Sequence, residues 1–130
     1  MHEKLKSRYE LVQEKSPEGY AELHYKDRPK NLSELMDDTV SRWPEETAFV
    51  DGDRKITYRQ FGETVDRIAA SLQKEWAIEK RDRVALLMGI GIPFALAYFG
   101  VIRLGAVVVP LNTRYKGEEL SYEINDSGAG

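Results

Sequence analysis

Not one cysteine occurs among the 130 residues of this chain. A disulfide framework, a thiolate metal centre and a cysteine nucleophile are therefore all excluded. Histidine is nearly as scarce. His2 and His24 stand alone and far apart, and each reads as a surface or packing residue rather than a metal ligand. Nor is there a basic tract: 19 Lys and Arg stand against 22 Asp and Glu, for a net charge of −3. That balance argues against nucleic acid as a partner. The opening Met1-His-Glu-Lys-Leu-Lys6 has no apolar core of a signal peptide. With the missing cysteines, this fits a cytoplasmic protein. No G-x-x-x-x-G-K-[ST] phosphate loop is present, and Ser33, Ser41, Ser71 and Ser121 lack a G-x-S-x-G context.

Charge itself is missing from Val84 to Ile102, and that gap is the most informative feature of the chain. An apolar run of roughly eighteen residues can span a membrane. Here Gly89, Gly91 and Pro93 interrupt it, where a spanning helix needs continuity. The run therefore predicts strand, turn, helix, turn and strand inside one core. Arg83 to Met88 reads as a strand covered on both faces, and Phe94 to Leu104 as a helix with Pro93 at its first position. Gly105 reads as a left-handed terminator and Val107–Val109 as a second buried strand. A strand, helix and strand of this length make a parallel, right-handed unit.

The flanking segments carry local signals. Residues 1–30 are polar and studded with Tyr9, Tyr20 and Tyr25, and predict an arm that packs on something else. Leu5, Tyr9 and Val12 suit a short amphipathic helix, and Ser16-Pro17-Glu-Gly19 a turn. Asn31 or Ser33 can cap a helix bearing Leu32, Leu35, Met36, Val40 and Trp43, which Pro44 stops. Ala48–Asp51 and Arg54–Thr57 flank Gly52-Asp53 as a hairpin. Thr57-Tyr-Arg-Gln60 is a capping box. The helix after it places Phe61, Val65, Ile68, Ala69, Leu72 and Trp76 on one stripe. Lys116 to Asp126 is a further amphipathic helix, with Leu120 and Ile124 inward and Gly128 at its end. A βαβα order calls for another strand, so the chain is expected to be the N-terminal piece of a longer protein.

The candidate chemistry is sparse. Gly89-Ile-Gly91-Ile-Pro-Phe94 sits where a dinucleotide fingerprint would, but Phe94 replaces the third glycine and no acidic residue follows about twenty positions on. A steric elbow, with glycines for tight packing, is the favoured reading. Asp51-Gly-Asp53 reads as a hairpin turn rather than a cation loop. Glu118, Glu119, Glu123 and Asp126 read as a solvated helix face. Ligands in open α/β sheets gather at the carboxyl ends of strands. Asn112, Thr113 and Arg114, after the second buried strand, are therefore the candidate site edge, with a cap for the next helix as the competing reading. No catalytic, cofactor-binding or metal-binding residue can be assigned.

Several blocks share one order and spacing: Asn31-Leu-Ser-Glu-Leu35, Ala48-Phe-Val50, Ile56-Thr-Tyr-Arg-Gln-Phe61, Arg83-Val-Ala-Leu-Leu87, Arg103-Leu-Gly-Ala-Val-Val-Val-Pro-Leu-Asn112, Glu118-Glu-Leu120 and Asp126-Ser-Gly-Ala129. Over about residues 31–130 this resembles the N-terminal portion of the AMP-forming acyl-CoA synthetases, of the adenylate-forming ligase superfamily. Pro110-Leu-Asn112 leans toward the fatty acyl-CoA ligases. One departure is Met88-Gly-Ile-Gly91, where relatives commonly carry a proline-asparagine-serine type of turn.

The resemblance implies an α/β fold, with a mostly parallel sheet, flanking helices and a short β-hairpin, truncated before the phosphate loop. It implies a parent enzyme that joins a fatty acid to coenzyme A with ATP and Mg2+, releasing AMP and diphosphate. It also implies that the family's phosphate loop, ribose contact and catalytic lysine lie in later sequence. The fragment alone is expected to be inactive, to hold no cofactor, and to have the remaining adenylation and C-terminal domains of its own polypeptide as partner. An unpaired sheet edge invites self-association, so a homo-oligomer is compatible with it. The alternative is a self-standing binding module derived from this fold. A stop codon directly after Gly130 would favour the module, and a Ser-Gly-Thr-rich loop the ligase.

Overall fold

The structure is a computed structural model that describes residues 10–130. In chain order it forms strands β1 (Leu11–Lys15) and β2 (Ala21–Tyr25), helix α1 (Leu32–Arg42), strands β3 (Thr47–Asp51) and β4 (Arg54–Thr57), and helix α2 (Tyr58–Trp76). Strand β5 (Arg83–Leu86), helix α3 (Ile92–Arg103), strand β6 (Val107–Pro110) and helix α4 (Gly117–Ser127) complete it. Three two-stranded ladders result: β1–β2 and β3–β4 antiparallel, and β5–β6 parallel.

The parallel pair is the part that the uncharged run predicts. Arg83 lies opposite Val107 and Leu86 opposite Pro110. Leu111 N–H donates to Leu86 O at 2.9 Å and extends the ladder. On the other side of β5, Gly130 N–H donates to Arg83 O (3.1 Å) and Ala85 N–H donates to Gly130 O (3.2 Å). The strand is shorter than Arg83–Met88 and is only partly covered: Val84, Ala85 and Leu86 are half-buried, and Leu87, just past its end, is exposed. With two strands and one crossing helix there is too little structure to cover both sides of the sheet.

The core lies where α1, α2 and α3 meet the β3–β4 hairpin. Met36, Phe61 and Val65 are buried, with Val40, Phe49, Ile56, Leu96 and Phe99 packed around them. Phe61 stands 5.0 Å from Phe49 and 5.3 Å from Phe99, centroid to centroid, the second pair edge-on. Such pairs add about 0.5–1.5 kcal/mol beyond their burial. The helices begin as their sequences dictate. Asn31 Oδ1 accepts from Glu34 N–H at 2.8 Å, so Asn31 and not Ser33 is the cap of α1. Thr57 and Gln60 form the reciprocal capping box of α2. Gly105 (φ 74°) and Gly128 (φ 64°) take the left-handed conformation expected of terminators.

Three local expectations are corrected. Val12 is in strand β1 opposite His24, not in a helix, while Leu5 and Tyr9 fall outside the described residues. Trp76 ends the apolar stripe of α2 but is 73% exposed, as the last residue of that helix. Pro93 is the second residue of α3, after Ile92.

Candidate functional site

Parallel strands deliver their carboxyl ends to one edge, so the loops after β5 and β6 open side by side. After β6, Asn112 Oδ1 accepts from Arg114 N–H (3.0 Å) and Asn112 O accepts from Tyr115 N–H (3.1 Å). The asparagine thus folds the backbone back on itself, a turn for which its short amide is suited. Asn112, Thr113 and Arg114 are all exposed. The helix cap falls to a different residue. Lys116 is the N-cap of α4, and Glu119 Oε2 accepts from its N–H at 2.8 Å. Asn112 therefore shapes the loop at the strand end rather than capping the helix.

After β5, the loop from Leu87 to Gly91 leads into α3. Gly91 is its tight point, since a Cβ there would lie 3.1 Å from Asp51 Oδ2. Gly89 meets nothing within 4 Å, so tight packing explains one glycine of the pair and not the other. The Asp51 carboxylate comes from the end of β3. Placed beside the first turn of α3, it complements the helix dipole and repels an anion. A pyrophosphate does not belong there, which agrees with the missing fingerprint residues. The fold thus brings Asp51 to this edge, where sequence reasoning did not place it. The hairpin turn explains its position in the chain but carries no sign of its neighbour.

A single guanidinium organises the helices behind this edge. Arg103, the first charge after the apolar run, donates from Nε to Asp66 (2.8 Å). Its Nη1 reaches Ser33 Oγ (2.7 Å) and Asp37 Oδ2 (2.8 Å), and its Nη2 reaches Asp37 Oδ1 (2.6 Å). One side chain on α3 thereby ties α1 and α2 together. The bond from Arg103 holds the Asp37 carboxyl below its ordinary value, and the same pairing raises the Arg103 guanidinium.

Elsewhere, the acidic face of α4 is not uniformly solvated. Tyr115, Glu118, Glu119, Tyr122 and Glu123 line a recess of about 470 Å³, and Glu123 Oε2 is buried without a hydrogen-bond partner among the described residues. Among those residues no group of three His, Asp or Glu side chains could hold a metal ion. No helix among them is long and apolar enough to cross a membrane.

Comparison with known proteins decides the family. Residues 36–130 match the profile of the AMP-binding enzymes. The chain belongs to that family. It is 37% identical over 103 residues to a long-chain-fatty-acid–CoA ligase of Escherichia coli, covering 79% of this chain and 18% of that protein. It is 36% identical over 102 residues to the long-chain-fatty-acid–CoA ligase FadD13 of Mycobacterium tuberculosis, covering 77% and 20%. The chain thus spans about a fifth of the length of these relatives.

Solved structures agree. A Mycobacterium tuberculosis fatty acyl CoA synthetase superposes with a TM-score of 0.72 at 35% identity, over 77% of this chain and 20% of that one. The N-terminal subdomain of Klebsiella oxytoca NpsA superposes with a TM-score of 0.74 at 28% identity, over 78% and 26%. The α/β arrangement of this AMP-binding family member is therefore that of the N-terminal subdomain of the adenylate-forming ligases.

Proposed function

We propose that this chain is the N-terminal part of the adenylation domain of a cytoplasmic, AMP-forming fatty acyl-CoA ligase. In the whole enzyme a fatty-acid carboxylate attacks the α-phosphate of ATP, and diphosphate leaves. The thiol of coenzyme A then displaces AMP from the acyl adenylate. The observation that supports this reading is the match over residues 36–130, joined to identity with long-chain-fatty-acid–CoA ligases across nearly four-fifths of the chain.

Within that enzyme the role of these residues is to frame the site. The parallel β5–β6 pair sets the strand ends, and Asn112, Thr113 and Arg114 form the rim that a bound substrate would meet. Asp51 keeps the first turn of α3 from competing for phosphate. The charge that develops on the phosphoryl group requires aligned donors. The sequence carries no glycine-rich phosphate loop of the G-x-x-x-x-G-K-[ST] kind. In this reading the stretch itself performs no catalytic step, and the rest of the polypeptide is its partner.

The test is acid-dependent ATP–pyrophosphate exchange. The purified 130-residue chain should give no exchange above background with any fatty acid. The product of the coding region read beyond Gly130 should exchange, and should form acyl-CoA. Exchange by the short chain would contradict the framing role. A stop codon directly after Gly130 would favour a self-standing binding module.

A further inference from the structure

Strand β5 has two edges, and β6 takes one of them. Val107 N–H donates to Asp82 O (2.7 Å) and Leu111 N–H to Leu86 O (2.9 Å), so the even-numbered backbone groups of β5 face β6. The odd-numbered groups face the opposite edge. Gly130 holds the start of that second edge. Its N–H donates to Arg83 O (3.1 Å) and its carbonyl accepts from Ala85 N–H (3.2 Å). A residue that bonds to both sides of its opposite number follows the parallel pattern, and this sets Gly130 opposite Val84.

The turn that delivers Gly130 is built into the end of α4. Gly128 is left-handed (φ 64°), and a Cβ there would lie 2.9 Å from Arg83 Nη1. Beyond Gly130 the edge runs on through Ala85 O and Leu87 N–H. Among the described residues no third strand joins the β5–β6 pair. Beside the edge lies a groove of about 630 Å³, lined by Leu72, Trp76 and Ile78 and by Val84 and Ala85 of β5. Trp76 is 73% exposed, and Leu87, farther along the edge, is 51% exposed.

The geometry points to this groove as the seat of a third parallel strand, formed by the segment of the polypeptide directly after Gly130. The inference rests on the reading of the chain as part of a longer ligase, of whose relatives it spans about a fifth. The two bonds of Gly130 fix the register. The second residue after it stands opposite Leu86, donates its N–H to Ala85 O and accepts from Leu87 N–H. One alternate set of side chains in the segment faces the end of α2 and is apolar, because it covers Leu72, Trp76 and Ile78. A second copy of the chain does not fit this place, because the chain's own Gly130 already holds its start.

The placement bears on the candidate site. With a strand on each side, β5 is the middle of the sheet. The step from β5 to β6 and the step from β6 back across β5 run in opposite directions. Right-handed crossovers then put α3 and α4 on opposite faces. In agreement, no α4 residue belongs to the core cluster in which α3 meets α1 and α2. The loops after β5 and β6 therefore part, and residues 87–91 and 112–114 become the two lips of one crevice.

The test uses the product of the coding region read beyond Gly130. A cysteine at the second residue after Gly130 should form a disulfide with Leu86→Cys under mild oxidation, because neighbouring strands lie about 4.8 Å apart. Pro110 stands opposite Leu86 on β6. With Pro110→Cys the same cysteine should form no bridge, because two strand spacings, about 9.6 Å, exceed disulfide reach. Peptide mass mapping identifies the bridge. Hydrogen exchange on the unaltered proteins decides if either variant misfolds. The Leu87 amide should exchange at least about a hundredfold more slowly in the longer product than in the short chain. A bridge through Pro110→Cys and not Leu86→Cys, or equal exchange at Leu87, overturns the inference. A stop codon directly after Gly130 overturns it together with the ligase reading. A longer product that forms acyl-CoA without the Leu86 bridge refutes the strand alone, and one with the bridge and no acyl-CoA refutes the ligase reading alone.

Discussion

Replacing Gly100 with alanine sets two effects of opposite sign against each other. Gly100 lies inside α3, where alanine is favoured over glycine by about 1 kcal/mol in an exposed helix. It is also a place where α3 approaches α2 closely. A Cβ at residue 100 would stand 2.5 Å from Ile68 Cγ2, 3.1 Å from Ile68 Cβ and 3.8 Å from the Ala69 backbone nitrogen. The first distance lies far inside van der Waals contact. Ile68 is β-branched and held to one rotamer in a helix, so the helices must separate or the side chain must leave its well. Forcing a methyl into a packed contact costs about 1–3 kcal/mol. At 2.5 Å the clash lies toward the upper part of that range and outweighs the propensity gain, so Gly100→Ala should destabilise by up to about 2 kcal/mol.

Urea unfolding followed by helical circular dichroism reads this as a lower midpoint at unchanged slope. Ile68→Ala removes the offending Cγ2. The double variant should therefore be less destabilised than the sum of the singles by about 1 kcal/mol. A Gly100→Ala protein more stable than the parent would refute the close approach of α2 and α3.

Two other perturbations follow from the contacts at the helix ends. Arg103→Ala should cost about 1 kcal/mol, the screened value of a bidentate pair in which Asp37 is largely exposed, and a cycle with Asp37→Ala should recover most of it as coupling. Because Asp37 titrates below its ordinary 3.8 when folded, its contribution is present above that value and is lost as the pH falls through the folded one. Asp37→Asn should flatten this part of the acid-stability curve, and an unchanged curve would count against the clamp. Thr57→Ala removes the acceptor of Gln60 N–H (3.2 Å) and should lower stability by about 1 kcal/mol, whereas Thr57→Ser should be nearly neutral in the same titration.

What the sequence made legible was local. The capping box at Thr57, the β3–β4 hairpin around Gly52 and the left-handed Gly105 and Gly128 all rest on residues within four positions of one another. The paired strands Arg83–Leu86 and Val107–Pro110 were legible because a buried unit leaves an uncharged run. The β1–β2 hairpin was not. Leu5, Tyr9 and Val12 fit a helical spacing as well as any other, and propensity alone does not separate strand from helix in a short polar arm. The partners of Arg103 were also hidden. Asp37 and Asp66 lie 66 and 37 positions away, and many acidic residues compete for that role in the sequence alone. At the candidate edge, Asn112, Thr113 and Arg114 could be placed by topology, but the arrival of Asp51 at Gly91 depends on how the hairpin docks.

The eleven residues of α3 before Arg103 carry no charge, and such a rod gains little from one axial position over the next. Two features remove that freedom. The missing side chain at Gly100 is a notch into which Ile68 seats, and the guanidinium at Arg103, gripped by two carboxylates, is a collar at the far end. Sliding α3 by one turn, about 5.4 Å, would undo both at once. The chain leaves the collar through Gly105 directly into β6, so the depth at which the rod stops also sets where Pro110 releases the backbone at the rim. Aim at the strand ends is thereby controlled from the opposite end of the helix.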